Sequence, residues 1–211
     1  MKPTILFKKN YRIHLRDVDF QEKLKLSALL TYFQDIASLA AENLGVSIKT
    51  LHEKHGVAWI LMRLRVDIDR FPALDEDITI ETWPQKPKRL EFERDFIVKD
   101  KNGKVIIRAV SSWVVMDLKT RRLQKTDVLN LQYPSIMEDR AIDCKLGKIK
   151  EFGNLEEAYE KVIGYSDIDF NGHLNNSKYV DFIMDCFPIK DHQEYDIQSI
   201  EVNFKNEALP G

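Results

Sequence analysis

Two stretches of this chain, DVDFQEKLKLSALLTYFQD at residues 17–35 and DIDFNGHLNNSKYVDFIMD at residues 167–185, align without gaps at an offset of 150. Six of the 19 aligned positions are identical, and five more exchange similar residues. A second stretch, LRVDI at residues 64–68, matches IEVNF at residues 200–204 in its apolar–polar alternation, at an offset of 136. Self-similarity of this kind indicates an internal repeat. We therefore interpret the chain as a duplication of one architecture.

Each copy predicts a helix followed by antiparallel strands. In the first copy, apolar residues recur at helical spacing through residues 26–44, and Gly45 follows as a stop signal. Alternating or β-rich runs predict strands at residues 4–15, 57–69, 77–83, 90–99 and 104–118. One helix lying against an antiparallel sheet is an α+β arrangement.

The repeat and the composition together predict two halves. We expect a first half at residues 1–126, a linker rich in polar residues at 127–160, and a second half at residues 161–211. The second copy stops before the counterparts of three strands of the first copy. We therefore expect the second half, as given, to be incomplete at its C-terminal end, and whether residues are missing after Gly211 is left open.

The composition limits the function classes. A net charge of −2, with 44% hydrophobic and 31% charged residues, is ordinary for a globular protein and argues against a nucleic-acid binder that relies on bulk positive charge. No stretch approaches the ~20 apolar residues needed to span a bilayer. Cys144 and Cys186 stand far apart and outside any cluster, which fits a reducing compartment. We expect a soluble, cytoplasmic protein.

The two copies differ in their polar residues. Where the first copy reads DFQEK at residues 19–23, the second reads DFNGH at residues 169–173. In the strand repeat, Glu207 takes the position of Phe71. A duplication that retains chemistry in one copy predicts this asymmetry. The candidate catalytic residues are therefore Asp169, Asn171, His173 and Glu207.

These residue types suit acyl transfer to water. An imidazole such as that of His173 exchanges protons near neutral pH. Asp169 and Glu207 can serve as nucleophile, as general base or as orienters of the imidazole. The amide of Asn171 can hold a developing oxyanion, and one such donor is typically worth ~3–4 kcal/mol. The set contains no serine or cysteine nucleophile, which favours an already activated acyl group such as a thioester.

Other interpretations of the same residues exist. Asn171-Gly172 is a common turn pair, and Asn175 or Asn176 can cap the second helix. The run from residue 167 also opens like a calcium-binding loop, but Lys178 occupies the position where that loop needs a bidentate glutamate. We therefore predict no metal and no cofactor.

Three stretches carry a family resemblance: GVAWILMRLRVDIDRFPALDEDITIETWP at 56–84, GKVIIRAVSSWVVMDLKTRRLQKT at 103–126 and SDIDFNGHLNNSKYVDF at 166–182. In this order they resemble the acyl-ACP thioesterases, bacterial relatives of the plant plastid enzymes. The resemblance implies a double hot dog fold, in which each of two tandem halves wraps a sheet around a long helix. It also implies hydrolysis of fatty acyl thioesters in fatty acid biosynthesis, with the acyl chain in a tunnel against helix 26–45.

The resemblance extends to the candidate site. Asp169, Asn171 and His173 match the family's D-x-N-x-H, and Glu207 matches the glutamate of the strand after the second helix. Plant members have a cysteine directly after that glutamate, whereas this chain has Ala208, which favours the carboxylates as the reactive groups.

The implied partner is acyl carrier protein, which is acidic. The candidate docking clusters are Lys86, Lys88 and Arg89, or Arg121, Arg122 and Lys125. An acyl-CoA thioesterase on the same fold, or a non-catalytic acyl-binding module, are the alternatives. The acyl chain length is left open, and the fold permits both a monomer and a homodimer.

Overall fold

Seven strands form one antiparallel sheet in the residues that the structure, a computed structural model, describes: 3–131, 133–150 and 153–210. The strands are β1 (Phe7–Arg12), β2 (Val57–Ile68), β3 (Asp77–Pro84), β4 (Phe92–Lys99), β5 (Val105–Asp117), β6 (Leu123–Gln124) and β7 (Ser199–Asn203). Their order across the sheet is β1-β3-β4-β5-β2-β7, and β6 pairs with the end of β5. The helices are α1 (Leu26–Asn43), α2 (Ile48–Thr50), α3 (Asn176–Met184) and α4 (Ile189–Glu194).

Helix α1 lies across one face of the sheet because its apolar stripe is buried there. The buried side chains of the stripe are Leu26, Leu29, Leu30, Phe33, Ile36, Ala37 and Ala40. Burial of each of the larger ones contributes roughly 1.5–3 kcal/mol. Phe33 stacks on Phe96 of β4 with ring centroids 4.6 Å apart. The helix ends as the sequence predicts, since Gly45 adopts φ +79° and its N–H bonds to the carbonyl of Glu42 at 2.9 Å.

The opposite face of the sheet is covered by part of the segment between the two halves. Ala141 and Leu146 are buried against Trp83 and Val110. The described residues of the 127–160 segment form no strand or helix after the short turn Thr126–Leu129. The segment expected to be a linker therefore contributes to the core through side-chain packing.

Two ion pairs fix this segment to the sheet. The guanidinium of Arg140 contacts Glu93 at 3.0 Å and Asp95 at 3.2 Å. Both carboxylates are buried on β4, and the N–H of Ala141 also bonds to Asp95 at 2.8 Å. A cation is needed here because buried carboxylates without a partner are strongly unfavourable.

The two halves meet through the pairing of β2 with β7. Arg65 lies opposite Glu201, which is its own counterpart at the offset of 136. At equal distances on either side of this pair, each β2 residue lies opposite the β7 counterpart of the β2 residue on the other side. The pairing of the two strands therefore has a local two-fold axis at this point. Val180 of α3 joins the core that α1 forms, which places the two helices side by side. The internal repeat is therefore a two-fold repeat in space.

The second half contributes less sheet than the first within the described residues. It supplies only β7, and no strand in the described ranges pairs with the other edge of β7. Large apolar side chains such as Phe170 and Leu209 are exposed in this half. None of the described helices is long and apolar enough to cross a membrane.

Candidate active site

Asp169 organises the loop 167–175 that leads into α3. Its Oδ1 accepts backbone N–H bonds from Asn171 at 2.8 Å and from His173 at 3.3 Å. Its Oδ2 accepts a bond from the side-chain amide of Asn171 at 3.3 Å. Gly172 adopts φ +81°, a left-handed conformation that glycine accepts without a steric cost. Both carboxylate oxygens are therefore engaged within the loop, and one of them orients the Asn171 amide.

The matching loop of the first half, residues 17–25, forms the same turn with Gln21 and Lys23 in place of Asn171 and His173. Asp19 Oδ1 accepts N–H bonds from Gln21 at 2.8 Å and from Lys23 at 3.1 Å. Lys23, at the position of the imidazole in the second loop, reaches across to Asp196 at 2.6 Å. The turn function of the aspartate is thus common to both halves.

The structure also settles how the second helix begins. Asn175 is its N-cap, and its Oδ1 accepts the N–H of Ser177 at 2.9 Å. This cap starts α3 directly after the candidate loop. The loop is therefore held at one end by the aspartate turn and at the other by the helix cap.

Glu207 follows β7 and is held in place by contacts of its two neighbours. The carbonyl of Ala208 accepts the N–H of Leu174 at 2.9 Å, and the carbonyl of Asn206 accepts the hydroxyl of Tyr179 at 3.2 Å. Burial raises the pKa of the Tyr179 hydroxyl, and the charge of Glu207 raises it further. This hydroxyl therefore stays protonated as a hydrogen-bond donor.

The Glu207 carboxylate meets two basic side chains at one oxygen. Its Oε2 lies 3.4 Å from Nε2 of His173 and accepts a bond from Nη2 of Arg121 at 2.5 Å. The side chains of His173 and Glu207 are 28% and 35% exposed, so water and substrate can reach them. Both of these contacts fall on Oε2, and neither involves Oε1.

The structure therefore brings the four predicted residues into two contacting pairs on adjacent segments. Asn171 contacts Asp169, and His173, from the same loop, contacts Glu207. Arg121 was not among the predicted site residues, because it lies in the first half and was expected in a docking cluster. Nothing in the sequence around Arg121 (RRL at residues 121–123) indicates a contact with Glu207.

Neither cysteine adjoins these residues in the structure. Cys144 packs with Ala141 and Leu146 on the sheet face opposite α1. Cys186 follows the C-terminal end of α3, and its Sγ contacts the carbonyl of Phe182 at 3.4 Å. No group of three or more His, Cys, Asp or Glu side chains suited to a metal ion occurs among the described residues.

An apolar crevice lies between α1 and strands β2, β4 and β5, on the face expected to take an acyl chain. Its lining includes Leu30, Phe33, Leu61, Phe96 and Trp113. The free volume is about 10 Å³, which is on the order of one water molecule. An acyl chain can enter this crevice only if side chains such as Phe33 move. A larger open groove of about 690 Å³ borders Asp169 and Phe170.

Comparison with known proteins gives matches along nearly the whole chain. The model of the acyl-ACP thioesterase N-terminal domain matches residues 4–129, and that of the C-terminal domain matches residues 154–211. The chloroplast oleoyl-acyl carrier protein thioesterase 2 of Arabidopsis thaliana is 26% identical over 99% of this chain and 61% of its own length. The chloroplast palmitoyl-acyl carrier protein thioesterase of Cuphea hookeriana is 25% identical over 97% of this chain and 52% of its own length. The chain thus spans between about half and two thirds of these relatives.

Solved structures agree with the architecture. An acyl-ACP thioesterase from Bacteroides thetaiotaomicron is 29% identical and superposes with a TM-score of 0.80, covering 98% of this chain and 83% of that one. The 12:0-ACP thioesterase from Umbellularia californica is 23% identical, with a TM-score of 0.82 over 98% of this chain and 84% of that one. The predicted α+β double hot dog fold is confirmed by these structural neighbours.

Proposed function

Because the chain belongs to the acyl-ACP thioesterase family, we propose that it hydrolyses fatty acyl thioesters carried by acyl carrier protein and releases the free fatty acid. The observation that carries this proposal is the contact of His173 with Glu207 at 3.4 Å, beside an amide that Asp169 orients. An imidazole, a carboxylate and an amide donor are the groups that water attack on a thioester requires.

Asn171 binds the thioester carbonyl in this scheme. One N–H of its side-chain amide is directed to Asp169, and the other is left for the substrate oxygen. As water attacks, that oxygen gains negative charge, and the amide stabilises it. Asp169 acts by holding the amide in this orientation.

Glu207 and His173 activate the attacking water. The proton of the water passes to Glu207 Oε1 or to the imidazole as the new C–O bond forms. The tetrahedral intermediate then breaks its C–S bond, and the departing phosphopantetheine thiolate takes up the proton that Glu207 or the imidazole accepted from the water. Water is consumed, and a carboxylic acid and a thiol are produced.

Direct attack by Asp169 is the competing route, and two contacts argue against it. Both of its oxygens already accept hydrogen bonds within the loop. Asp19 makes the same backbone bonds in the half where Gln21 and Lys23 stand in place of Asn171 and His173. Intact-mass measurement after a rapid quench tests this point, because an acyl adduct on Asp169 would overturn the water route.

The decisive experiment compares Glu207→Gln and His173→Gln with the matched control Lys23→Gln. Release of fatty acid from acyl carrier protein should fall by about 10²–10⁴-fold in the first two, since each removes a proton-transfer group. Lys23 occupies the position equivalent to His173 in the first half, so its variant should keep the wild-type rate. Retention of activity in Glu207→Gln would exclude Glu207 from the mechanism, whereas a wild type that binds acyl chains without hydrolysing them would favour a non-catalytic acyl-binding module.

The proposed docking surface for acyl carrier protein includes two exposed basic side chains. Lys86 and Arg89 are exposed beside β4, and they can meet an acidic surface. Charge reversal of both should slow turnover of carrier-bound substrate and spare a short thioester. An equal rate on acyl-CoA and on acyl-acyl carrier protein would favour the acyl-CoA alternative.

A cytoplasmic location remains part of this proposal.

A further inference from the structure

The cation that contacts Glu207 comes from the other half of the chain. Arg121 lies in the turn between β5 and β6, and 86 residues separate it from Glu207. Its Nη2 bonds to the same oxygen, Oε2, that faces Nε2 of His173. The carboxylate is thereby held at Oε2 from two sides, and neither contact uses Oε1.

The turn that presents Arg121 is tightly constrained. Asp117 Oδ1 accepts bonds from the N–H of Lys119 at 3.0 Å and from the N–H and hydroxyl of Thr120 at 2.7 and 2.9 Å. The bonds from Thr120 and Lys119 lower the pKa of the Asp117 carboxyl, so it is ionised at neutral pH. The N–H of Arg121 in turn bonds to the carbonyl of Asp117 at 2.9 Å.

Arg121 adopts φ +57°, a left-handed conformation that is unfavourable for a residue with a side chain. Such a conformation persists only where the surroundings enforce it, and it is enriched at functional positions. Here the bonds of Asp117 enforce it, and the result is a guanidinium aimed at Glu207.

We propose that Arg121 is a positioning residue for the hydrolysis, which fixes Glu207 so that Oε1 and the His173 imidazole face the attacking water. The inference rests on the proposed function. Exposed ion pairs of this kind contribute little to folding stability, so the effect of the contact is on geometry. Without it the long glutamate side chain is free to rotate away from the imidazole.

This contact makes the active site depend on both halves. The loop 169–173 and Glu207 belong to the second half, whereas the group that orients the carboxylate belongs to the first. The guanidinium is already engaged within the chain, so we assign it to the site and not to carrier docking. A short acyl thioester therefore suffices to reveal its contribution.

The kinetic test uses Arg121→Ala and Arg121→Lys with a short acyl-pantetheine substrate, which removes carrier docking from the measurement. We expect kcat to fall about 10- to 100-fold in Arg121→Ala, the size of effect seen when a catalytic group is misplaced. KM should stay near the wild-type value, and added guanidinium ion should restore part of the rate. Arg108→Ala is the matched control, because Arg108 pairs with Asp69 at 3.0 Å on the surface.

A double-mutant cycle decides whether Arg121 acts through Glu207. In the Glu207→Gln background, Arg121→Ala should cause no further loss of rate. An additive loss would overturn the inference, because Arg121 would then act on the substrate or on the fold. A wild-type kcat in Arg121→Ala would also overturn it.

Crystal structures of the wild type and Arg121→Ala provide a readout that needs no activity. We expect the Glu207 carboxylate to leave hydrogen-bond distance of His173 in the variant. A single, unchanged Glu207 conformer would overturn the inference even in an inactive protein. A folded wild type that hydrolyses no acyl thioester would instead count against the proposed function.

Discussion

Comparison of Asp169→Ala with Asp19→Ala separates the catalytic contribution of the Asp169 loop from its structural contribution. The two aspartates make equivalent pairs of backbone hydrogen bonds, at 2.8 and 3.3 Å for Asp169 and at 2.8 and 3.1 Å for Asp19. Only Asp169 makes a further bond, to the side-chain amide of Asn171 at 3.3 Å. The internal duplication thus supplies a control within the chain.

The expected loss of stability is similar for the two variants. Hydrogen bonds to a charged group are worth about 1.5–3 kcal/mol each, and partial exposure of both loops reduces each bond to about 1–1.5 kcal/mol, so two bonds contribute about 2–3 kcal/mol. In a protein of this size that loss lowers Tm by about 4–12 °C. Thermal unfolding of both variants, followed by circular dichroism, measures it.

The expected loss of activity differs between them. Asp169→Ala releases the Asn171 amide, and loss of one oxyanion donor typically lowers kcat by about 10²–10³-fold. Asp19→Ala should keep the wild-type kcat per folded molecule, because its loop has Lys23 in place of the imidazole. Equal losses of kcat in the two variants, measured well below both Tm values, would refute this reasoning.

Three further variants test other parts of the structure. The hydrogen bond from Arg70 holds the pKa of Glu76 below its usual value, so its stabilising effect is present above the ordinary glutamate pKa and is lost as pH falls through the lowered one. The Tm difference between the wild type and Glu76→Gln should therefore shrink on acidification, and a constant difference would contradict this assignment. Arg140→Met leaves the buried Asp95 without its cation and should cost about 3–5 kcal/mol in a denaturant titration, whereas an unchanged midpoint would show that the pair is dispensable. Phe33→Ala should lower stability by about 3–5 kcal/mol and raise relative turnover of longer acyl chains, and an unaltered chain-length profile would place the acyl chain elsewhere.

Local elements were predictable because their signals are local. The apolar stripe and Gly45 define α1 almost to the residue, and β2 occupies residues 57–68 where the alternation predicts 57–69. The strand at residues 200–204 was predicted only through its match to 64–68. That these two strands pair with each other did not follow from the pattern, because alternation specifies a face and not a partner.

The linker illustrates a second limit. The 127–160 segment has the polar composition of a connection, yet Ala141 and Leu146 are buried and Arg140 pairs with two carboxylates of β4. Two isolated apolar residues and one arginine show no periodicity. Their burial depends on the sheet face that they happen to cross, which only the tertiary structure defines.

The sequence by itself determined the duplicated architecture and the asymmetry between its copies, because both are written in the identity and spacing of residues. It located Asp169, Asn171, His173 and Glu207 as the candidate set. The tertiary structure alone decided that Asp169 orients an amide and that Arg121 contacts Glu207. Contacts of this kind arise where separate elements are brought together by core packing, and no local spacing along the chain encodes them.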